Sequence, residues 1–179
     1  LAVQLLMAAD ADNFAVQQVD SDGNLVLHCA CEHKQPNPEV IKLVMEAYPL
    51  GLQKKDKDGN LPLHSALEVG DVMPADIIEE MLKLYPGACL VADRDHNYPV
   101  HCCFHECKES LEKKAMMVID AGPKALAEKS RKLKQCLLFH AVQSRRYSDQ
   151  LVAKLANAYP KGCEVKDAEG NIPLHLELE

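Results

Sequence analysis

A chain of 179 residues with 47% hydrophobic and 26% charged side chains can bury a sizeable core and is too apolar to stay disordered. With no Trp and 4% aromatic residues, that core must be built from Leu, Val, Ala, Ile and Met, the inventory of stacked helices. A formal net charge of −7 supplies no basic face and argues against nucleic acid as a partner, and no apolar run approaches the roughly 18–20 residues of a membrane span.

Residues 1–9 read as the middle of a helix, too short to span a bilayer and interrupted by Gln4. With Leu1 at one end and Glu179 four residues beyond a repeated histidine at the other, the chain is expected to be a segment of a longer protein or array. From residue 20 a stretch recurs: Asp20 to His28 reads DSDGNLVLH, Asp56 to His64 DKDGNLPLH, Asp93 to His101 DRDHNYPVH and Asp167 to His175 DAEGNIPLH. A worn copy, Lys132 to His140, reads KLKQCLLFH, so the closing histidines stand 36, 37, 39 and 35 residues apart. A near-constant period in this range marks a solenoid.

Each repeat reads as turn, helix, loop, helix. In the first, a helix is expected over 26–33, a second starts at Asn37-Pro38, and Tyr48-Pro49 ends it. In the second, Asp56-Lys57-Asp58-Gly59 is turn chemistry, with Asp bonding its local backbone and Gly supplying a positive φ. Pro62 suits the first position of a helix over 62–69, because its missing N–H costs nothing there. Gly70-Asp71 breaks that helix, Pro74 opens the next, Tyr85-Pro86 closes it, and 88–92 is expected to be extended. The third repeat predicts a helix over 99–108, then one capped by Ser110 and ending near Gly122. The fourth predicts helices over 137–144 and from Ser148 to Tyr159-Pro160. None of these helices is long enough to be stable alone, so the repeats must stack.

These residues resemble the ankyrin repeat, a 33-residue unit with the pattern Asp-x-x-Gly-x-Thr-Pro-Leu-His-x-Ala-Ala. Asp56, Gly59, Pro62, Leu63, His64 and Ala66 match it, and the resemblance covers essentially the whole chain. The family's Thr is replaced by Leu25, Leu61, Tyr98, Leu137 and Ile172, so each imidazole must bond backbone of its own or the neighbouring hairpin instead. Lys132, Gln135 and Leu138 replace the Asp, Gly and Pro of the fourth repeat, and an irregular hairpin is expected there. The resemblance implies an all-α fold, an α-solenoid of ankyrin-like helix–loop–helix repeats joined by β-hairpin-type loops. The expected division is a single array over 1–179: a partial repeat 1–19, repeats 20–55, 56–92, 93–131 and 132–166, and a partial repeat 167–179.

Two Cys/His clusters are the sharpest chemical candidates: His28, Cys29, Cys31 and His33, and His101, Cys102, Cys103, His105 and Cys107. Zinc favours sulfur and imidazole, but consecutive residues of one helix make a poor tetrahedron and no paired CxxC knuckles occur. His28 and His101 are repeat histidines, and Cys102 and Cys103 stand where the second repeat has Ser65 and Ala66. Catalysis is not expected, since no nucleophile elbow, P-loop or metalloprotease helix is present. The Asp pairs recur with the turns, which reads as turn capping, and the spacing of a calcium loop is absent. No metal and no cofactor are expected. The eight cysteines form no disulfide framework, which suits a reducing intracellular, cytoplasmic setting.

Family resemblance assigns protein contacts to the hairpin tips and the exposed ends of the first helices. Carried over, these are Ser21, Asp22, Asn24, Glu32 and His33; Lys57, Asp58, Asn60, Glu68 and Val69; Arg94, Asp95, Asn97, His105 and Glu106; and Lys134, Ser144 and Arg145. Their mixed sign argues against a polyanion and suits a protein partner with matched patches. The expected function is a non-catalytic adaptor or scaffold module. Alternatives are a structural segment of a large assembly, a regulatory region of a longer enzyme or membrane protein, and a Cys/His metal or redox sensor.

Overall fold

The computed structural model describes residues 6, 9, 10, 12–104, 109–129, 131 and 135–177. The chain divides into two compact units, residues 1–88 and 89–179.

Unit 1 is organised by helices α1 (Val26–Glu32), α2 (Pro38–Ala47), α3 (Pro62–Glu68) and α4 (Ala75–Leu84). The start of α2 is set by Asn37, whose side-chain oxygen accepts from Glu39 N at 3.0 Å and Val40 N at 3.3 Å, with Pro38 in the first turn. Pro62 opens α3 in the same way. The apolar stripe of α4, Ile77, Ile78, Met81 and Leu82, is buried against α2 and α3. Each such side chain contributes about 1.5–3 kcal/mol through removal from water. On the outside, Lys42 of α2 pairs with Asp76 of α4 at 3.0 Å, an exposed bridge worth at most about 1 kcal/mol.

Unit 2 repeats the plan with α5 (Pro99–Cys102), α6 (Glu109–Ala121), α7 (Leu137–Ser144), α8 (Asp149–Ala158) and α9 (Pro173–Glu177). α8 packs on α6 and α7, and α9 on α7. Among the described residues, α5 is shorter than the sequence suggests. It gives way to a turn in which Phe104 N bonds His101 O at 2.9 Å, an i→i−3 closure that tightens the chain. Ser110 lies inside α6 and so is not its cap, whereas Ser148 caps α8 as expected.

The segment expected to be extended over 88–92 is different. Pro86–Leu90 is a 3-10 turn, and the same turn follows α2, α6 and α8 as Pro49–Gln53, Pro123–Ala127 and Pro160–Glu164. The physical reason is the proline, whose fixed φ fits a 3-10 start as readily as it stops an α-helix. Tyr48, Tyr85 and Tyr159 precede it with nearly identical backbone angles. A Cβ on Gly122, which stands in the tyrosine's place before Pro123, would lie 2.3 Å from Cys89 Cβ, so only glycine fits.

Among the described residues the connecting loops form no β-strand, only an isolated Val19–Leu25 bridge. Their order comes from the repeated Asp. One carboxylate oxygen of Asp20, Asp56, Asp93 and Asp167 accepts from the N–H groups two and four residues on, at 2.7–3.0 Å. The other oxygen accepts from the amide of Asn24, Asn60, Asn97 or Asn171. The turn residue with positive φ is Gly23, Gly59 or Gly170, and His96 in the third loop.

Candidate protein-interaction surface

The recurring histidine is a structural clamp. Nδ1 of His28 accepts from Leu25 N at 3.2 Å, so the neutral ring carries its proton on Nε2, which donates to Asn60 O in the next hairpin at 3.2 Å. His101 does the same, accepting from Tyr98 N at 3.0 Å and donating to Glu128 O at 3.2 Å. His64 and His175 accept from Leu61 N and Ile172 N. Bonding to both the own and the neighbouring loop is thus what replaces the family's Thr. Burial, first of all, holds the His28 and His101 imidazoles below their ordinary pKa, against the pull of the backbone acceptors Asn60 O and Glu128 O.

The fourth repeat departs from the expected register. His28, His64 and His101 sit at the third position of their helices, but the third position of α7 after its cap Cys136 is Phe139. His140 N bonds Cys136 O at 3.1 Å, as Cys29 N bonds Leu25 O and Ser65 N bonds Leu61 O. The buried clamp is therefore replaced by the buried ring of Phe139, 1% exposed. His140 lies one place further on, half-buried, with its ring 6.4 Å from that of Tyr147.

The clamps and Asp-bonded loops fix where the proposed contact residues point. Ser21, Asp22, Glu32, His33, Lys57, Asp58, Glu68, Arg94, Asp95 and Arg145 are exposed, and Val69 and Ser144 are half-buried. Asn24, Asn60 and Asn97 correct the expectation that these turn residues face outward. Their amides donate to the loop Asp, and Asn97 is 5% exposed, because the carboxylate needs a donor on its second oxygen. Lys57 is exposed, yet its ammonium donates to Ser21 O while its N–H donates to Asp22 O at 3.0 Å. His105, Glu106 and Lys134 lie outside the described residues.

The total charge of the two units differs. Residues 1–88 carry six Lys or Arg against fourteen Asp or Glu, and residues 89–179 carry fourteen against thirteen. In unit 1 the exposed row presents Asp22, Glu32, Asp58 and Glu68 together with Lys57; in unit 2 it presents Arg94 and Arg145 together with Asp95, which lies 3.7 Å from Arg131. The row carries both signs in each unit, with acidic side chains in excess in unit 1.

The cysteines of the clusters scatter by role. Cys31, Cys89, Cys102, Cys103 and Cys136 are buried, and burial pushes the Cys31 and Cys103 thiols up to about 12 and Cys89 to about 11. Such thiols are poor nucleophiles and ligands at neutral pH. Cys29 and Cys163 are exposed, and Cys107 and His105 lie outside the described residues. Among the described residues no three His, Cys, Asp or Glu side chains converge as a metal site, and no helix is long and apolar enough to cross a membrane.

A cleft of unit 2 adjoins the row at Arg145. α7, α8 and α9 border this open cleft of about 930 Å³, whose lining includes Leu138, Val142, Val152, Ala156, Pro173 and Leu174. Leu174 follows its helix-opening proline as Leu63 follows Pro62. Leu63 is 1% exposed with α4 packed on its helix, whereas Leu174 is 61% exposed.

Stacked helix pairs, three of them preceded by an Asp-bonded loop, define a helical repeat protein. No protein-family model and no curated protein matches the chain. Solved structures do. A chain in the solved structure of the Bd0816 predatory endopeptidase from Bdellovibrio bacteriovorus in complex with immunity protein Bd3460 is 18% identical over 98% of this chain and 83% of that one, with a TM-score of 0.64. The ankyrin repeat domain of Bcl-3, a member of the IkappaB protein family, is 15% identical over 98% and 75%, with a TM-score of 0.57. The fold is thus an all-α, ankyrin-repeat-like solenoid.

Proposed function

We propose that the chain is a protein-interaction module with no catalysis of its own, and that its acidic row in unit 1 is the primary contact surface. The observation that carries this reading is the pairing of rigid loops with exposed carboxylates at their tips. Asp20 and Asp56 are consumed in holding their turns, while Asp22 and Asp58 stand exposed at the same tips. A partner segment rich in Lys or Arg fits that row, with the net acidity of unit 1 steering its approach. The ankyrin-like fold supports the reading, because stacked repeats leave an extended surface suited to proteins. Burial of Cys31, Cys102 and Cys103 weighs against the metal or redox alternative.

The test is affinity purification with two charge-reversed variants. Asp22→Lys with Asp58→Lys is expected to lose the partners of the parent chain. Glu39→Lys with Glu46→Lys, on the exposed side of α2, is expected to keep them. Loss in the second variant alone would show that the helices opposite the loops carry the contact.

A further inference from the structure

The connection between α7 and α8 starts at Arg145 of the row and carries a further group of exposed side chains. It reads Arg145-Arg146-Tyr147-Ser148, and Arg145, Arg146, Ser148, Asp149 and Gln150 are all exposed. Ser148 caps α8, its hydroxyl oxygen accepting from Leu151 N at 3.3 Å. The same serine is held from across the unit by Glu112 of α6. One Glu112 oxygen accepts from Ser148 N at 2.7 Å and the other from the Ser148 hydroxyl at 2.5 Å. Arg145, in a left-handed conformation with φ 50°, donates to Leu176 O at 3.1 Å, and Tyr147 donates to Phe104 O at 3.3 Å. The connection is thus an exposed strap fastened at three points.

We propose that Ser148 is a phosphoacceptor for a serine/threonine kinase selecting arginine two and three residues before its target, and that phosphorylation releases the Glu112 clasp between α6 and α8. Such kinases read guanidinium groups with carboxylates, and Arg146 and Arg145 stand exposed at those two positions, Arg145 with one guanidinium N–H on Leu176 O. In the transfer, the Ser148 hydroxyl oxygen attacks the γ-phosphorus of a nucleoside triphosphate. The bond to the β–γ bridging oxygen breaks, nucleoside diphosphate leaves, and the hydroxyl proton passes to the kinase's carboxylate base. The product carries about −1.5 to −2 charge where the hydroxyl had donated to Glu112, so the two groups repel. The phosphoryl group is drawn instead to the N-terminus of α8 and to Arg146, which preserves the helix while parting it from α6. Because Glu112 holds the hydroxyl in the resting state, the strap must open before the kinase can act.

The experiment is phosphorylation of the full chain by the catalytic subunit of cyclic-AMP-dependent protein kinase with ATP and Mg²⁺, the site being read by peptide mass spectrometry. Ser148 is expected to be modified, at least about tenfold more slowly in Arg146→Ala, the loss of one charge-assisted contact. Glu112→Gln is expected to be modified faster than the parent. The phosphorylated parent should melt below the unmodified chain, and phosphorylated Glu112→Gln should show a much smaller drop. An unmodified Ser148, under conditions that label a free peptide covering 143–153, would overturn the site. Equal melting drops in the parent and Glu112→Gln would overturn the release of the clasp.

Discussion

In unit 1 both helix-opening histidines, His28 and His64, are buried, and the hairpin backbones touch tip to tip, Lys57 N on Asp22 O. In unit 2 the sequence around the middle loop has drifted, and a ring of another kind takes the histidine's place. Phe139 fills the clamp position with apolar volume and can bond nothing, while His140 stands beside it half-buried. The site tolerates this exchange because a histidine clamp does two jobs, filling space and satisfying backbone, and only the first must be done by that side chain. Unit 1 keeps the polar solution together with an acidic exterior; unit 2 mixes both solutions and is close to neutral.

Mutations at corresponding places should expose the difference. Phe139→Ala is expected to have the largest effect, destabilising the chain by about 3–5 kcal/mol in urea unfolding, since a buried ring leaves a cavity. His28→Ala should cost about 2–3 kcal/mol by leaving Leu25 N–H and Asn60 O without their partner. His140→Ala should cost less than about 1 kcal/mol, although it carries the letter that the sequence pattern marks as equivalent. Equal losses at His28 and His140 would put the clamp back on His140.

Acid should loosen the clamps themselves. The folded-state pKa values of His28 and His101 are depressed, so below about pH 6.5 the unfolded chain binds more protons than the folded one. Their contribution is fully present above that pH and is lost as pH falls toward the depressed values. The urea midpoint should therefore drop between pH 7.5 and 5.5, and drop less in His28→Ala. A midpoint with the same pH slope in both chains would contradict the assignment.

The smallest expected effect lies in the third loop, where His96 holds φ 57° at the place of Gly23, Gly59 and Gly170. His96→Gly should stabilise the chain by about 1 kcal/mol, the left-handed strain of a side-chain-bearing residue less the entropy lost by glycine. Thermal melting checks the sign.

Much of this architecture is written in the chain. The Asp-x-x-Gly-Asn loops, the prolines opening α2 and α3, and the caps Asn37 and Ser148 are local devices, readable because each is fixed by residues within four positions. The register of the fourth repeat follows its helix start at Leu137 and not the histidine letter. His140 gives uneven intervals of 39 and 35, and aligning on Phe139 evens them to 38 and 36, a signal that could have been used. The 3-10 turns were not legible, since proline stops an α-helix whichever structure follows. The difference in net charge is present in the sequence but takes its meaning from the boundary at residue 88, which contacts in the folded chain define. Which turn residues face out depends on the second oxygen of the loop Asp, and periodicity does not report that.

The most direct test of the interaction surface is a quantitative one on the partner that affinity purification returns. Its dissociation constant should be measured against the parent chain, against Asp22→Lys with Asp58→Lys, and against Arg94→Glu with Arg145→Glu, each at low and at physiological salt. The acidic row predicts a loss of at least about tenfold and a flatter salt dependence for the first variant, with a change of no more than a few-fold for the second. A partner that binds the first variant as tightly as the parent, or that is lost only from the second, would contradict it.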